Sequence, residues 1–187
     1  MKTWDQFLAE SAKIKNGRIE HSFSSTQINL PALAADKIIE WGETNVPDEK
    51  LFVDPEDPTF GREAEPHVTV LFGLHTNVPD EIREFMAKQK QFEIALDQIS
   101  LFVDAPKYDV VKIDIHSPEL IALNKKLAER FEHTSKYDYK PHCTIAYVVK
   151  GSCNKLNGSK DLSGIKVKVK EILFSDKFRD KTKMSLS

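Results

Sequence analysis

Two stretches of this chain, "EPHVTVLFGL" at Glu65–Leu74 and "KPHCTIAYVV" at Lys140–Val149, share the order Pro-His-x-Thr followed by apolar residues. Along a β-strand, side chains at i and i+2 point to the same face. His67 and Thr69 must therefore project together, with Val68 and Val70 on the opposite side. His142 and Thr144 repeat this, with Cys143 and Ile145 opposite. A fold that buries the valine and isoleucine sides presents both His–Thr sides. Positions 67 and 142 are 75 residues apart, and each strand adjoins a helical pattern, so two related lobes are expected.

The remaining patterns fill in those lobes. The opening residues read as a short helix capped by Thr3, with Trp4, Phe7 and Leu8 on its apolar side and Gly17 as its stop. "HSFSSTQINL" has strand character, and "PALAADKIIEWG" reads as a helix with proline in its first turn and Gly42 at its end. Residues 43–65 are proline-rich and acidic, a long loop with an extended piece at Leu51–Val53, of the length that lids and binding loops have. A helix is expected in "VPDEIREFMAKQK", then two antiparallel strands in "QFEIALDQISLFV" and "YDVVKIDI". Ser117 can cap the helix "SPELIALNKKLAERF"; "GIKVKVKEILF" alternates as one strand before a short final segment. The order is neither regular βαβ alternation nor all-β.

At 187 residues, with 40 % hydrophobic and 30 % charged residues, the chain suits one soluble domain over 1–187, with 1–20 as an N-terminal extension and 43–65 as an acidic loop. No apolar run approaches a membrane span or a signal-peptide core, so neither a membrane nor a secretory route is expected. Two cysteines, Cys143 and Cys153, make no CxxC pair, and a reducing cytoplasm is the simplest setting. The net charge of −2 argues against sequence-independent binding of long nucleic acid. Acid concentrates in 43–65 and lysine after Lys140 (Lys150, Lys155, Lys160, Lys166, Lys168, Lys170). That is either two solvated faces or a positive wall for a small anion.

Two imidazoles and two hydroxyls facing one groove suit phosphodiester cleavage. One histidine takes a proton from the attacking oxygen and the other protonates the departing one, each transfer giving roughly 10²–10⁴-fold in rate. The threonine hydroxyls can donate to the non-bridging oxygens as charge grows there. The scheme requires no metal and no cofactor. The bland alternative for a single His-x-Thr is a half-buried histidine bonded to its neighbour; a matched pair argues against it. His75 and His133 are each followed directly by threonine and are poor copies, and His21 and His116 stand alone. Phe72 and Tyr147, five residues after each histidine, are expected on the core side, away from the groove. Tyr139 could stack on a base, and Arg62 and Lys140 could reach a phosphate.

"PHVTV" and "PHCTI" resemble the paired motifs of the 2H phosphoesterase superfamily, also called LigT-like. The likeness covers the chain loosely, through motif separation and element order. It implies an α+β fold of two lobes, two antiparallel sheets related by pseudo-twofold symmetry around a central cleft, with helices outside. It also implies metal-independent cleavage of 2′,3′-cyclic phosphates, 2′–5′ linkages or related cyclic nucleotides, with His67 and His142 as the acid–base pair and Thr69 and Thr144 as phosphate-binding hydroxyls. Which histidine is the base is left open. The substrate expected is a small nucleotide or short oligonucleotide, such as a cyclic di- or trinucleotide messenger or 2′–5′ oligoadenylate. "SSTQINLP" followed by "EPHVTVLFGLH" resembles phage-encoded members, which would fit immune evasion in host cytoplasm. RNA-end processing, a non-catalytic nucleotide-binding module and a metallohydrolase are the competing readings; the chain has no HExxH and no HxH pair.

Overall fold

The computed structural model describes residues 12–15, 18–55, 57–136 and 138–187, with side chains from Glu20 onward. The expected helix start at Thr3, Trp4, Phe7 and Leu8 lies outside the described residues. Ala12–Lys15 (β1), counted within that helix, is instead a strand that pairs antiparallel with Arg18–His21 (β2). Ser24–Asn29 (β3) leads into helix Ala32–Asn45 (α1), and the acidic loop follows, holding a 3-10 turn at Asp48–Lys50. Next come His67–Leu74 (β4), the short helix Asp80–Met86 (α2), Phe92–Phe102 (β5), Tyr108–His116 (β6) and Pro118–Arg130 (α3). The chain ends with His142–Val149 (β7), Lys166–Val169 (β8), Glu171–Ser175 (β9) and Lys181–Ser185 (β10). Ser117 caps α3 as expected, its Oγ accepting from the Leu120 amide at 3.3 Å.

Eight strands form one antiparallel sheet in the order β10-β9-β3-β4-β7-β6-β5-β8. The two expected sheets are its halves. They meet through a single ladder pair, Val68 opposite Cys143 at the start of β4 and β7. The expected single strand over 164–174 is two strands, broken at Lys170: β8 lies at one end of this order and β9 is second from the other, beside edge strand β10. Only one residue separates them, so the sheet must curl until its far ends converge. Backbone bonds lace that corner: the Leu186 amide donates to Lys170 O, Gln91 N donates to Ser187 O at 3.0 Å, and Ser187 N donates to Gln89 O at 2.8 Å.

The sequence repeats at the level of whole units: β3-α1-β4 and β6-α3-β7 share one plan. Asn29 lies opposite His67 and Gln27 opposite Thr69; Asp114 lies opposite His142 and Lys112 opposite Thr144. Each unit then carries a bulge. Thr26 pairs with Leu71 and Val111 with Ala146, leaving Val70 and Ile145 as the extra residues.

The main core lies under the other face of the sheet. It holds Val68, Val70, Leu71, Cys143, Ile145, Ala146 and Val148 together with Ile38 and Trp41 of α1, Ile82 of α2 and Leu120, Leu123 and Leu127 of α3. Gly42, expected as the stop of α1, sits inside it, because a Cβ there would come within 2.9 Å of Ile145 Cγ2. Helix and strand need that close approach. Among the described residues no helix is long and apolar enough to cross a membrane.

Candidate active site

The Val68–Cys143 register carries both motifs onto one surface. One step along, antiparallel pairing brings His67 toward Thr144 and Thr69 toward His142, all four on the face opposite the buried Val68 and Cys143. Each imidazole is half-buried. His67 Nδ1 lies 2.9 Å from Glu65 O, and His142 Nδ1 lies 2.8 Å from Lys140 O. A carbonyl only accepts, so each Nδ1 carries the proton and donates it. The residue before each proline thus fixes the tautomer, and Nε2 of both rings is the reactive nitrogen.

The surroundings of the two rings differ. His142 is enclosed by Phe102, edge-on at 4.9 Å between centroids, and by Lys112, which is only 5 % exposed. Burial pushes the His142 pKa down to about 4; its backbone bond at Lys140 opposes this, while the Lys112 and His67 charges add to it. Lys112 bonds Asp114 and the Ser100 hydroxyl and lies 4.3 Å from the Phe102 ring centroid. Burial alone would raise the Asp114 carboxyl, but hydrogen bonds from Lys112 and Ser100 outweigh it and hold it below the usual range. Across the pseudo-twofold, neutral residues replace that ion pair: Gln27 Nε2 donates to Asn29 Oδ1 at 2.6 Å, and Asn29 reaches Glu65. Beside His67 the charges are acidic, with Glu63 Oε2 3.9 Å from Nδ1. Neither motif supplies a carboxylate, but the flanking segments do.

The bulges correct one expectation. Val70 with Leu71, and Ile145 with Ala146, both enter the main core, so alternation slips by one. Tyr147 then leaves the core side and lies outside the main cluster, whereas Phe72 is buried as expected. Tyr147 packs with Phe52, Phe60 and Tyr108 in a second cluster that includes Phe102, the residue against His142. Phe72 lies opposite Ser25.

The acidic loop fills the splay between the sheet halves. Past Cys143, β7 loses β4 and pairs with the loop instead: Glu63 N donates to Ile145 O, Tyr147 N to Gly61 O and Phe52 N to Tyr147 O, at 2.8–2.9 Å. Arg62, a candidate phosphate contact, points to α1, donating to the Gly42 and Val46 carbonyls and pairing with Asp48. It caps the helix end, giving Val46 O a donor and adding a second bond to Gly42 O, which already accepts from Val46 N. The Tyr139 hydroxyl donates to Thr69 O at 2.7 Å, and its ring packs on the main core; burial pushes its pKa upward. It braces the second motif's approach against the first motif's strand. Lys140 supplies its carbonyl to His142 while its side chain is exposed. Of the lysine-rich segment, Lys166 and Lys168 stand on the exposed side of edge strand β8.

Lys112, Asp114, Ser100, Phe102, Gln27 and Asn29 were missed in the sequence. One signal was there: "KID" and "QIN" each place two polar residues at i and i+2 in apolar strands, the same alternation as His-x-Thr. Among the described residues, no three His, Cys, Asp or Glu side chains gather as a ligand set.

The fold is shared with solved structures. The protein TT0787 of Thermus thermophilus superposes with a TM-score of 0.60 at 19% identity, covering 88% of this chain and 97% of that one. LigT of E. coli complexed with 3′-AMP gives 0.56 at 20% identity, covering 88% and 95%, and the phosphate complex gives 0.53 at 20%, covering 90% and 96%. A search of the curated proteins finds no match. The α+β fold with its curled antiparallel sheet is therefore LigT-like. The model of the 2′-5′ RNA ligase superfamily matches residues 49–172, and the chain belongs to that superfamily, the 2H phosphoesterases.

Proposed function

We propose that this protein is a metal-independent phosphodiesterase that cleaves cyclic nucleotides or short oligonucleotides, with His142 as general base and His67 as general acid. The observation that carries the reading is the matched pair of Nδ1-to-carbonyl bonds, which turns both Nε2 atoms into the available nitrogens of one cleft. Burial and the Lys112 charge keep His142 neutral at ordinary pH, as a base must be. His67 has the Glu63 carboxylate 3.9 Å from its Nδ1, while Glu65 is paired with Lys181 and Asn29.

In the hydrolytic direction, His142 Nε2 takes a proton from water as the water oxygen bonds to phosphorus. The opposite P–O bond breaks, and His67 Nε2 passes its proton to the departing oxygen, leaving a phosphomonoester and a free hydroxyl. The Thr69 and Thr144 hydroxyls donate to the non-bridging oxygens. E. coli LigT has been solved with 3′-AMP, ATP and NADP+, and a cleft of the same fold here supports a nucleotide-sized ligand.

The test is incubation, with EDTA present, with 2′,3′-cyclic mononucleotides, 2′–5′ oligoadenylate, and cyclic di- and trinucleotides, followed by chromatography of the products. The cyclic messengers belong in the panel because a phage-encoded enzyme of immune evasion would act on them. At least one substrate should be cleaved, and His67→Ala and His142→Ala should each lower turnover by at least about 100-fold. Nucleotides bound tightly but recovered intact would make the protein a binding module and end the catalytic reading.

A further inference from the structure

A second cationic site lies at the β9–β10 turn, beyond the four motif residues. Arg179 is the one non-glycine residue with positive φ, 67°, among the described residues. Asp176 organises the turn that holds it there, its Oδ1 accepting from the Phe178 and Asp180 amides while its carbonyl accepts from Arg179 N. The guanidinium is half-buried; the Glu63 and Asp176 carboxylates act on it from a distance, but none lies within 4 Å among the described residues. Its partners are the Ser25 hydroxyl at 3.5 Å and His21 Nδ1 at 3.2 Å. That His21 nitrogen must accept, so the ring is neutral and compensates none of the charge. Ser175, opposite Ser25 on β9, is fully buried, and its hydroxyl has no hydrogen-bond partner.

A half-enclosed cation in contact with no carboxylate among the described residues and a buried hydroxyl without a partner are each costly, and one anion resolves both. The place of the site in the sheet says which anion. Ser25, Gln27 and Asn29 alternate along β3 on one face; Gln27 is opposite Thr69 and Asn29 opposite His67. Ser25 is thus one strand repeat, about 6.6 Å, from the residue facing Thr69. That step is comparable to the spacing of successive phosphates in a nucleotide chain.

We propose that Arg179, with Ser25, His21 and Ser175, forms a second phosphate subsite, so that the substrate carries at least one phosphate besides the one cleaved. The inference rests on the phosphodiesterase reading of the cleft and narrows it: dinucleotides, oligonucleotides and cyclic di- or trinucleotides are accepted, and simple 2′,3′-cyclic mononucleotides are poor substrates.

The test uses calorimetric binding to the full chain carrying His142→Ala, with 3′-AMP and adenosine 3′,5′-bisphosphate as probes. The bisphosphate should bind at least about tenfold more tightly, and Arg179→Gly should abolish that difference while leaving 3′-AMP affinity unchanged. Glycine accepts positive φ, so this variant preserves the turn; Arg179→Lys, keeping charge without the fork, should retain only part of the preference. Equal affinities with Arg179 present, or a preference that survives Arg179→Gly, would overturn the second subsite and leave the phosphodiesterase reading standing. Binding of neither nucleotide would overturn both.

Discussion

At the scale of single residues, the cleft is symmetric in its reactive atoms and asymmetric in what surrounds them. His67 and His142 share one backbone device, yet one ring neighbours Lys112 and the other neighbours glutamates. Lys112→Met removes a like charge beside His142, so its pKa should rise from about 4 toward the ordinary value near 6.5. The acid limb of the rate profile should then move to higher pH, and an NMR titration of the His142 ring should move with it. An unmoved limb would mean that another group sets it. Because Asp114 loses its buried partner, Lys112→Met should also destabilise the fold by about 3 kcal/mol in urea unfolding, partly recovered by adding Asp114→Asn. The four motif residues could be read from the sequence because proline, histidine and threonine repeat in order. Lys112 could not, since nothing local says that residue 112 will lie beside residue 144.

At the scale of elements, most strands and helices followed from alternation and turn chemistry, including β4, β7 and α3. The exceptions have physical causes. The bulges at Val70 and Ile145 lie within unbroken apolar runs, where a slip of one residue leaves no mark in the pattern, so Tyr147 changed sides unannounced. Gly42 read as a helix stop because glycine so often is one. Here it instead lets α1 approach β7. Gly42→Ala gains about 1 kcal/mol of helix propensity but drives a methyl against Ile145, and overpacking of this kind costs about 1–3 kcal/mol. Net destabilisation is expected in urea unfolding, and Ile145→Ala in the same chain should turn the alanine at 42 from harmful to neutral. A simple sum of the two single effects would show that the contact does not limit the helix.

At the scale of the whole molecule, the two enclosed histidines make the fold sensitive to acid. His21 and His142 are both pushed down to about 4, chiefly by burial, whereas unfolded rings titrate near 6.5. The unfolded chain therefore takes up protons that the native one refuses. Stability should be complete above pH 6.5 and drain away as pH falls to about 4. Urea midpoints across that window should show the slope, and His21→Gln with His142→Gln should flatten it. The two-lobed plan was legible from the repeat, but its closure was not, because the alternation of "KVKVKEILF" runs straight through Lys170. That one residue takes the chain from edge strand β8 to β9, second from the opposite border of the sheet. Halves joined at their middle by Val68 and Cys143, and tied again at their rims, have no free hinge. This is a jaw with both ends pinned: its gape is set when the chain folds, and a guest is chosen by how well it fits rather than by how far the walls can swing shut.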